Sequence, residues 1–163
     1  MKDNYPTKPA SQVEIALYCF MGEAVCMIQE LESALSTSIT IKKNSTATKA
    51  EADKALNKQR RYTLGKAVML AEQEEFFPLP LQGDLNDFYQ RRNWLIHQAM
   101  FEDRDNLSSE NGRNQLFQKI KSIADDAQRL QRAIEMDMIN FSESKGKDMS
   151  KIIAMIEEKD KQR

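Results

Sequence analysis

Glycine and proline are scarce in this chain, at five and four of 163 residues. With 40% hydrophobic and 30% charged residues, that scarcity excludes a collagen-like or low-complexity chain and favours a mostly helical globular protein. Cysteine is limited to Cys19 and Cys26. Seven residues apart on one predicted helix, they stand roughly 10 Å apart along its axis, too far for a disulfide. No CxxC pair or Cys/His set is present, so neither a metal nor a cofactor is expected. The two thiols read as small buried hydrophobes and the protein as cytoplasmic. Excess charge is missing too: the net charge is −1 and the pI about 6.0, so nucleic-acid contact would need a local basic patch. No apolar run approaches the ~20 residues of a membrane span. The opening "MKDNYPTKPA" lacks the apolar core of a signal peptide, and no membrane partner is expected.

What is present is helical periodicity. Ser11 is a predicted N-cap with Glu14 three residues on, the pattern of a capping box. Val13, Leu17, Phe20, Ala24, Ile28, Leu31 and Leu35 then recur at steps of three and four. Tyr18, Cys19, Met21, Val25 and Met27 widen this face beyond one stripe, so the first helix is expected either at the centre of the core or covered by a second subunit. The polar, β-branched stretch 36–50 reads as a loop or frayed end. A second helix is predicted over 50–75, broken by the prolines of "FFPLPLQGD" (76–84). Asp84 is then the expected cap of a third helix ending near Met100. After a polar loop (102–112), a fourth helix over 113–141 carries Leu116, Ile120, Ile123, Ala127, Leu130, Ile134 and Phe141 at heptad-like spacing, interrupted by Asp137. Met69, Met100, Met136 and Met138 read as core filler. The expected fold is all-α: an antiparallel four-helix bundle over 1–141, with a flexible joint and a short amphipathic helix over 142–163.

One stretch breaks the pattern. "RRNWLIH" (91–97) contains the only histidine and the only tryptophan. On a wheel at about 100° per residue, Arg92 falls between Leu85 and Ile96 on one side and Phe88, Leu95 and Ala99 on the other, in the middle of the apolar face. Asn86, Gln90, Asn93 and His97 form an adjoining polar stripe. A buried guanidinium needs a partner or a cleft. Either it pairs with a core carboxylate such as Asp137, or it binds an anion at the edge of a groove, with a histidine nearby to move protons.

The segment Arg92-Asn93-Trp94-Leu95-Ile96-His97 resembles the R-x4-H signature of the HEPN superfamily, including the polar residue after the arginine. Its place in the third helix of an all-helical chain is similar as well. The resemblance covers roughly residues 11–141, but only the motif is diagnostic. It implies a helical bundle that pairs as a homodimer with two motifs in one cleft, and a metal-independent endoribonuclease of toxin–antitoxin or defence systems, with RNA as substrate and an antitoxin protein as partner. By that resemblance Arg92 would hold the scissile phosphate. His97 would act as general base or acid, and Asn93 would orient the imidazole or a phosphate oxygen. The tyrosine that one branch carries two residues after the histidine is replaced here by Ala99, so that modification is not expected.

The remaining basic material is "KQRRY" (58–62). On the second helix Lys54, Lys58 and Arg61 share a predicted face, either a solvated surface or a track for the RNA backbone. Asn86 and Gln90 are the other candidate substrate contacts. A non-enzymatic HEPN-like binding or regulatory module, and a plain bundle adaptor with Arg92 as a buried ion pair, remain the competing readings.

Overall fold

The computed structural model describes residues 9–46, 48–102 and 106–161. The readings of the lead-in (1–8), of 103–105 in the polar loop, of 162–163 and of the Met100 side chain lie outside the described residues. The chain forms α1 (Gln12–Lys43), α2 (Lys49–Gln59), α3 (Leu64–Gln73), α4 (Leu79–His97), a short α5 (Ala99–Glu102), a 3-10 turn (Asn106–Ser108), α6 (Glu110–Ser144) and α7 (Ser150–Lys161). The fold is all-α, with no strand among the described residues. No helix described is long and apolar enough to cross a membrane.

α1 starts where the capping box places it. Ser11 Oγ accepts from Glu14 N at 3.3 Å, and Glu14 Oε2 accepts from Ser11 N at 2.7 Å. It does not stop at Leu35 as expected but continues to Lys43. The β-branched, polar stretch is held helical by two effects. Thr37 and Thr40 donate their hydroxyls to the carbonyls of Ser33 and Ser36, each at 2.8 Å, which satisfies them within the helix. Ile39 is buried completely, and Ser36, Ser38 and Thr40 are buried with it. Tertiary packing here overrides a weak local propensity.

The expected second helix is two helices. Thr48 caps α2 in a capping box with Glu51, and Thr63 caps α3 by accepting from Lys66 N at 3.3 Å. The turn between them takes Arg61 out of the helix and removes the continuous basic face expected for Lys54, Lys58 and Arg61. α4 begins at Leu79, not after Asp84, because Pro78 and Pro80 occupy the cap and first turn, where a missing N–H costs nothing. α6 is longer than expected at both ends, but its heptad positions from Leu116 to Ile134 are all buried.

α1 and α6 form the longest contact in the molecule. Phe20 meets Phe117, ring centroids 5.1 Å apart, and Lys42 meets Asp137. The two helices therefore run in the same direction, which corrects the antiparallel expectation for this pair. α4 is antiparallel to α6, since Arg129 reaches Asp84 while Lys119 lies over Trp94. Between them sit Leu31, Leu35, Leu85, Leu95, Ile120, Ile123, Leu130 and Ile134, all fully buried and each worth about 1.5–3 kcal/mol of hydrophobic stabilisation. Cys19 and Cys26 are exposed, contrary to expectation. With Ile15 and Tyr18, also exposed, they lie on the outer side of a helix whose opposite face already fills the core. Met69 and Met136 are likewise exposed and are not core filler; Met138 is half-buried. α7 packs only sparsely on the rest, with Ile152 and Met155 exposed.

α3 approaches α4 closely at Gly65, where an added Cβ would stand 2.6 Å from the Tyr89 ring. Gly65→Ala should therefore lower stability by about 1–3 kcal/mol in denaturant unfolding, the usual cost of overpacking. In a Tyr89→Ala background the same substitution should instead stabilise, because alanine is favoured over glycine in a helix by roughly 1 kcal/mol. Equal effects in both backgrounds would show that the two side chains do not compete for this space.

Candidate functional site

Two successive arginines tie α4 to two different helices, Arg91 to α6 and Arg92 to α1. Arg91 donates to Asp126 and, at 2.7 Å, to Ser122 Oγ of α6. Arg129 adds a 2.8 Å contact to Asp84. This network spends Arg91 on joining α4 to α6. Arg92 turns the other way, toward α1. Its side chain is 24% exposed, and its one ion pair among the described residues is with Glu32, Nη2 to Oε1 at 3.7 Å. That separation is too long for a charge-assisted hydrogen bond. Nη1 donates to Asn93 Oδ1 at 3.4 Å, and Nε is buried with no hydrogen-bond partner among the described residues. A buried guanidinium N–H without a partner is costly. Arg92 is thus only partly satisfied among the described residues.

Asp137, the carboxylate considered for Arg92, is taken by Lys42. That ammonium also donates to the Phe76 carbonyl and lies 4.5 Å from the Phe77 ring centroid. The residue that meets Arg92 instead is Glu32, which the sequence reading missed. A signal was present: Glu32 stands four residues after Ile28 and three before Leu35, so it flanks the buried stripe of α1 as Arg92 interrupts that of α4. Burial pushes the Glu32 carboxyl above the ordinary glutamate range, against the pull of Arg92.

No protein-family model, curated protein or solved structure matches the chain. Its residues must therefore be weighed on their own geometry. His97 is the last residue of α4 and is exposed. It lies roughly 140° around the helix from Arg92 and about 7.5 Å along it, and no hydrogen bond joins the two among the described residues. Asn93 is half-buried beside Arg92. Asn86 donates to Glu72 of α3 at 3.2 Å and accepts from Gln82 of its own helix at 3.2 Å. Gln90 is exposed, as are Lys58 and Arg61. The basic segment does approach the site, but through its neighbours. Arg60 and Tyr62 line a cavity of about 280 Å³ together with Glu32, Gln29, Ser33 and Ser36. Ile96 and Phe101, beside His97, are both exposed, Phe101 to 81%. Among the described residues no group of three His, Cys, Asp or Glu side chains is placed to hold a metal ion.

The site therefore offers a half-satisfied guanidinium, a loosely paired carboxylate and an exposed imidazole. It can exchange one anion for another at Arg92, since the resident carboxylate is held only weakly. Glu32 with a raised pKa binds its proton more tightly in the folded than in the unfolded protein, so its contribution to stability is present at low pH and is lost as pH rises through that value. Glu32→Gln should then be at least as stable as the parent at pH 7. The parent should draw level as pH falls below the ordinary glutamate range, measured as the difference between two urea unfolding curves. A large loss of stability in Glu32→Gln at pH 7 would show that attraction to Arg92 outweighs the burial cost.

Proposed function

We propose that this chain is a HEPN-like, metal-independent endoribonuclease that acts as a homodimer, in the manner of a toxin or defence effector. The observation that carries the reading is Arg92: a guanidinium inside the apolar face of α4, with a buried Nε and only a distant carboxylate against it. A phosphodiester would supply the close acceptor oxygens that Glu32 does not. In this reading α1, the α2–α3 pair, α4 and α6 form a HEPN-like four-helix bundle, with α7 appended. Asn93, hydrogen-bonded to Arg92, keeps the guanidinium oriented.

His97 serves proton transfer. In the chemistry proposed, a base removes the proton of a ribose 2′-OH, the 2′ oxygen attacks phosphorus, and the 5′ oxygen leaves and takes up a proton from an acid. One histidine cannot readily be both base and acid in one step, so two chains would supply two. The exposed Ile96 and Phe101 flanking His97 support a partner surface there. Burial of such side chains would draw a second copy onto the end of α4. A protein antitoxin covering the same end fits this setting.

One observation favours a second reading: among the described residues no hydrogen bond brings His97 to Arg92. A non-catalytic nucleotide-binding module, which needs Arg92 but not His97, would look the same within one chain.

The purified protein should cleave single-stranded RNA in EDTA and leave 2′,3′-cyclic phosphate ends, while DNA, which lacks the 2′ hydroxyl, should resist. His97→Ala should reduce the rate by roughly 10²–10⁴, the span of general acid–base catalysis, with an unchanged circular dichroism spectrum. Arg92→Ala should abolish cleavage. A strict monomer in sedimentation at tens of micromolar, a requirement for magnesium, or undiminished cutting by His97→Ala would contradict the ribonuclease reading. Binding of nucleotide that depends on Arg92, without any cleavage, would establish the second.

A further inference from the structure

The cavity beside Glu32 has a chemistry of its own. Each of its six lining side chains, Gln29, Glu32, Ser33, Ser36, Arg60 and Tyr62, carries a hydrogen-bonding group, and none is aliphatic. Its formal charges cancel, one carboxylate against one guanidinium. A small anion seated there would meet Glu32 as well as Arg60, so the lining does not suit a phosphate. It suits a neutral, planar ligand with donors and acceptors along its edge. Tyr62 supplies an aromatic wall, its ring backed by Lys66 Nζ at 3.9 Å, and such walls stack nucleobases.

The carboxylate narrows the choice. Two carboxylate oxygens accept best from two parallel N–H donors. Among the common bases guanine presents such a pair, N1–H beside the 2-amino group. Adenine and cytosine offer one exocyclic amino group and uracil one ring N–H. An arginine complements the O6 and N7 acceptors of guanine, and Arg60 lies in the same cavity. Glu32 is also the 3.7 Å partner of Arg92. Drawing the carboxylate onto a base would release the Arg92 guanidinium for the adjoining phosphate, so the two contacts would favour each other.

We propose that the cavity between α1 and the α2–α3 turn is a guanine subsite, in which Glu32 reads the N1 and 2-amino edge, Arg60 the O6 and N7 edge, and Tyr62 stacks on the base. The proposal deepens the assignment of Arg92 as a phosphate seat and rests on that reading, but not on cleavage. Glu32 is here a specificity residue and Arg92 the phosphate contact.

Calorimetric titration of the full-length protein with the 5′-monophosphates of guanosine, inosine, adenosine, cytidine and uridine tests it without turnover. Guanosine monophosphate should bind about tenfold or more tightly than the adenosine, cytidine and uridine forms, as expected for one bidentate edge contact. Inosine monophosphate, lacking the 2-amino group, should fall between. Glu32→Gln should erase the guanine preference with an unchanged circular dichroism spectrum. Tyr62→Leu should weaken all five, and His97→Ala should leave the preference intact. Equal affinity for the five nucleotides, or a guanine preference that survives Glu32→Gln, would overturn the subsite. Cleavage of RNA with no preference at guanosine would overturn it too, while sparing the ribonuclease reading. A guanine preference in a protein that cuts no RNA would uphold the subsite and remove the ribonuclease reading.

Discussion

A guanidinium in an apolar interface must find a counter-charge or water, and what Arg92 finds is decided by how α6 positions α1 and α4. α4 is fixed against α6 on its other side by Arg91, Asp126, Ser122, Arg129 and Asp84. α1 is fixed along α6 by its apolar stripe. With both helices positioned by α6, Glu32 and Arg92 are left 3.7 Å apart, close enough for attraction but not for a hydrogen bond. The weakness of this pair thus follows from strong contacts elsewhere, and it leaves Arg92 open to exchange its partner.

A more deeply buried ion pair shows the contrast. Lys42 is satisfied on several sides at once, by Asp137, the Phe76 carbonyl and the Phe77 ring. It ties the ends of α1 and α6 together at the heptad interruption. Arg92, by comparison, has among the described residues one distant carboxylate and a side-chain amide at 3.4 Å. Two charges of the same sign, each partly buried between helices, therefore differ: Lys42 closes a structural contact, whereas Arg92, in the reading proposed, would seat an anion. Glu32 links that seat to the cavity bounded by Arg60 and Tyr62.

Much of the fold was legible in the sequence because local rules and packing agree there. The Ser11–Glu14 capping box and the stripe from Leu116 to Ile134 lie where spacing places them. The all-α class follows from the same periodicity. Failures occurred where packing overrides local preference. Residues 36–43 look like a loop by composition, but their hydroxyls bond back into the helix and Ile39 is driven into the core. The Thr63 cap was hidden within what looked like one continuous helix, and Thr48 lay in the stretch read as a loop. The anomaly of Arg92 was readable from the helical wheel, whereas its partner was not. Asp137 was the visible interruption in a heptad, and Glu32 only flanks its stripe. The relative direction of α1 and α6 is set by long-range contacts that no single-helix pattern contains.

The claim at the centre of this account is that Arg92 is a poorly satisfied group waiting for a phosphate. Nitrogen-15 NMR of the Arg92 side chain reads this directly, by following the Nε–H resonance and its exchange with solvent while a fully 2′-deoxy oligonucleotide, which cannot be cleaved, is added. The account predicts a weakly hydrogen-bonded Nε–H in the free protein that shifts and becomes protected as the oligonucleotide binds. A strongly hydrogen-bonded, slowly exchanging Nε–H in the free protein, unmoved by the oligonucleotide, would contradict it.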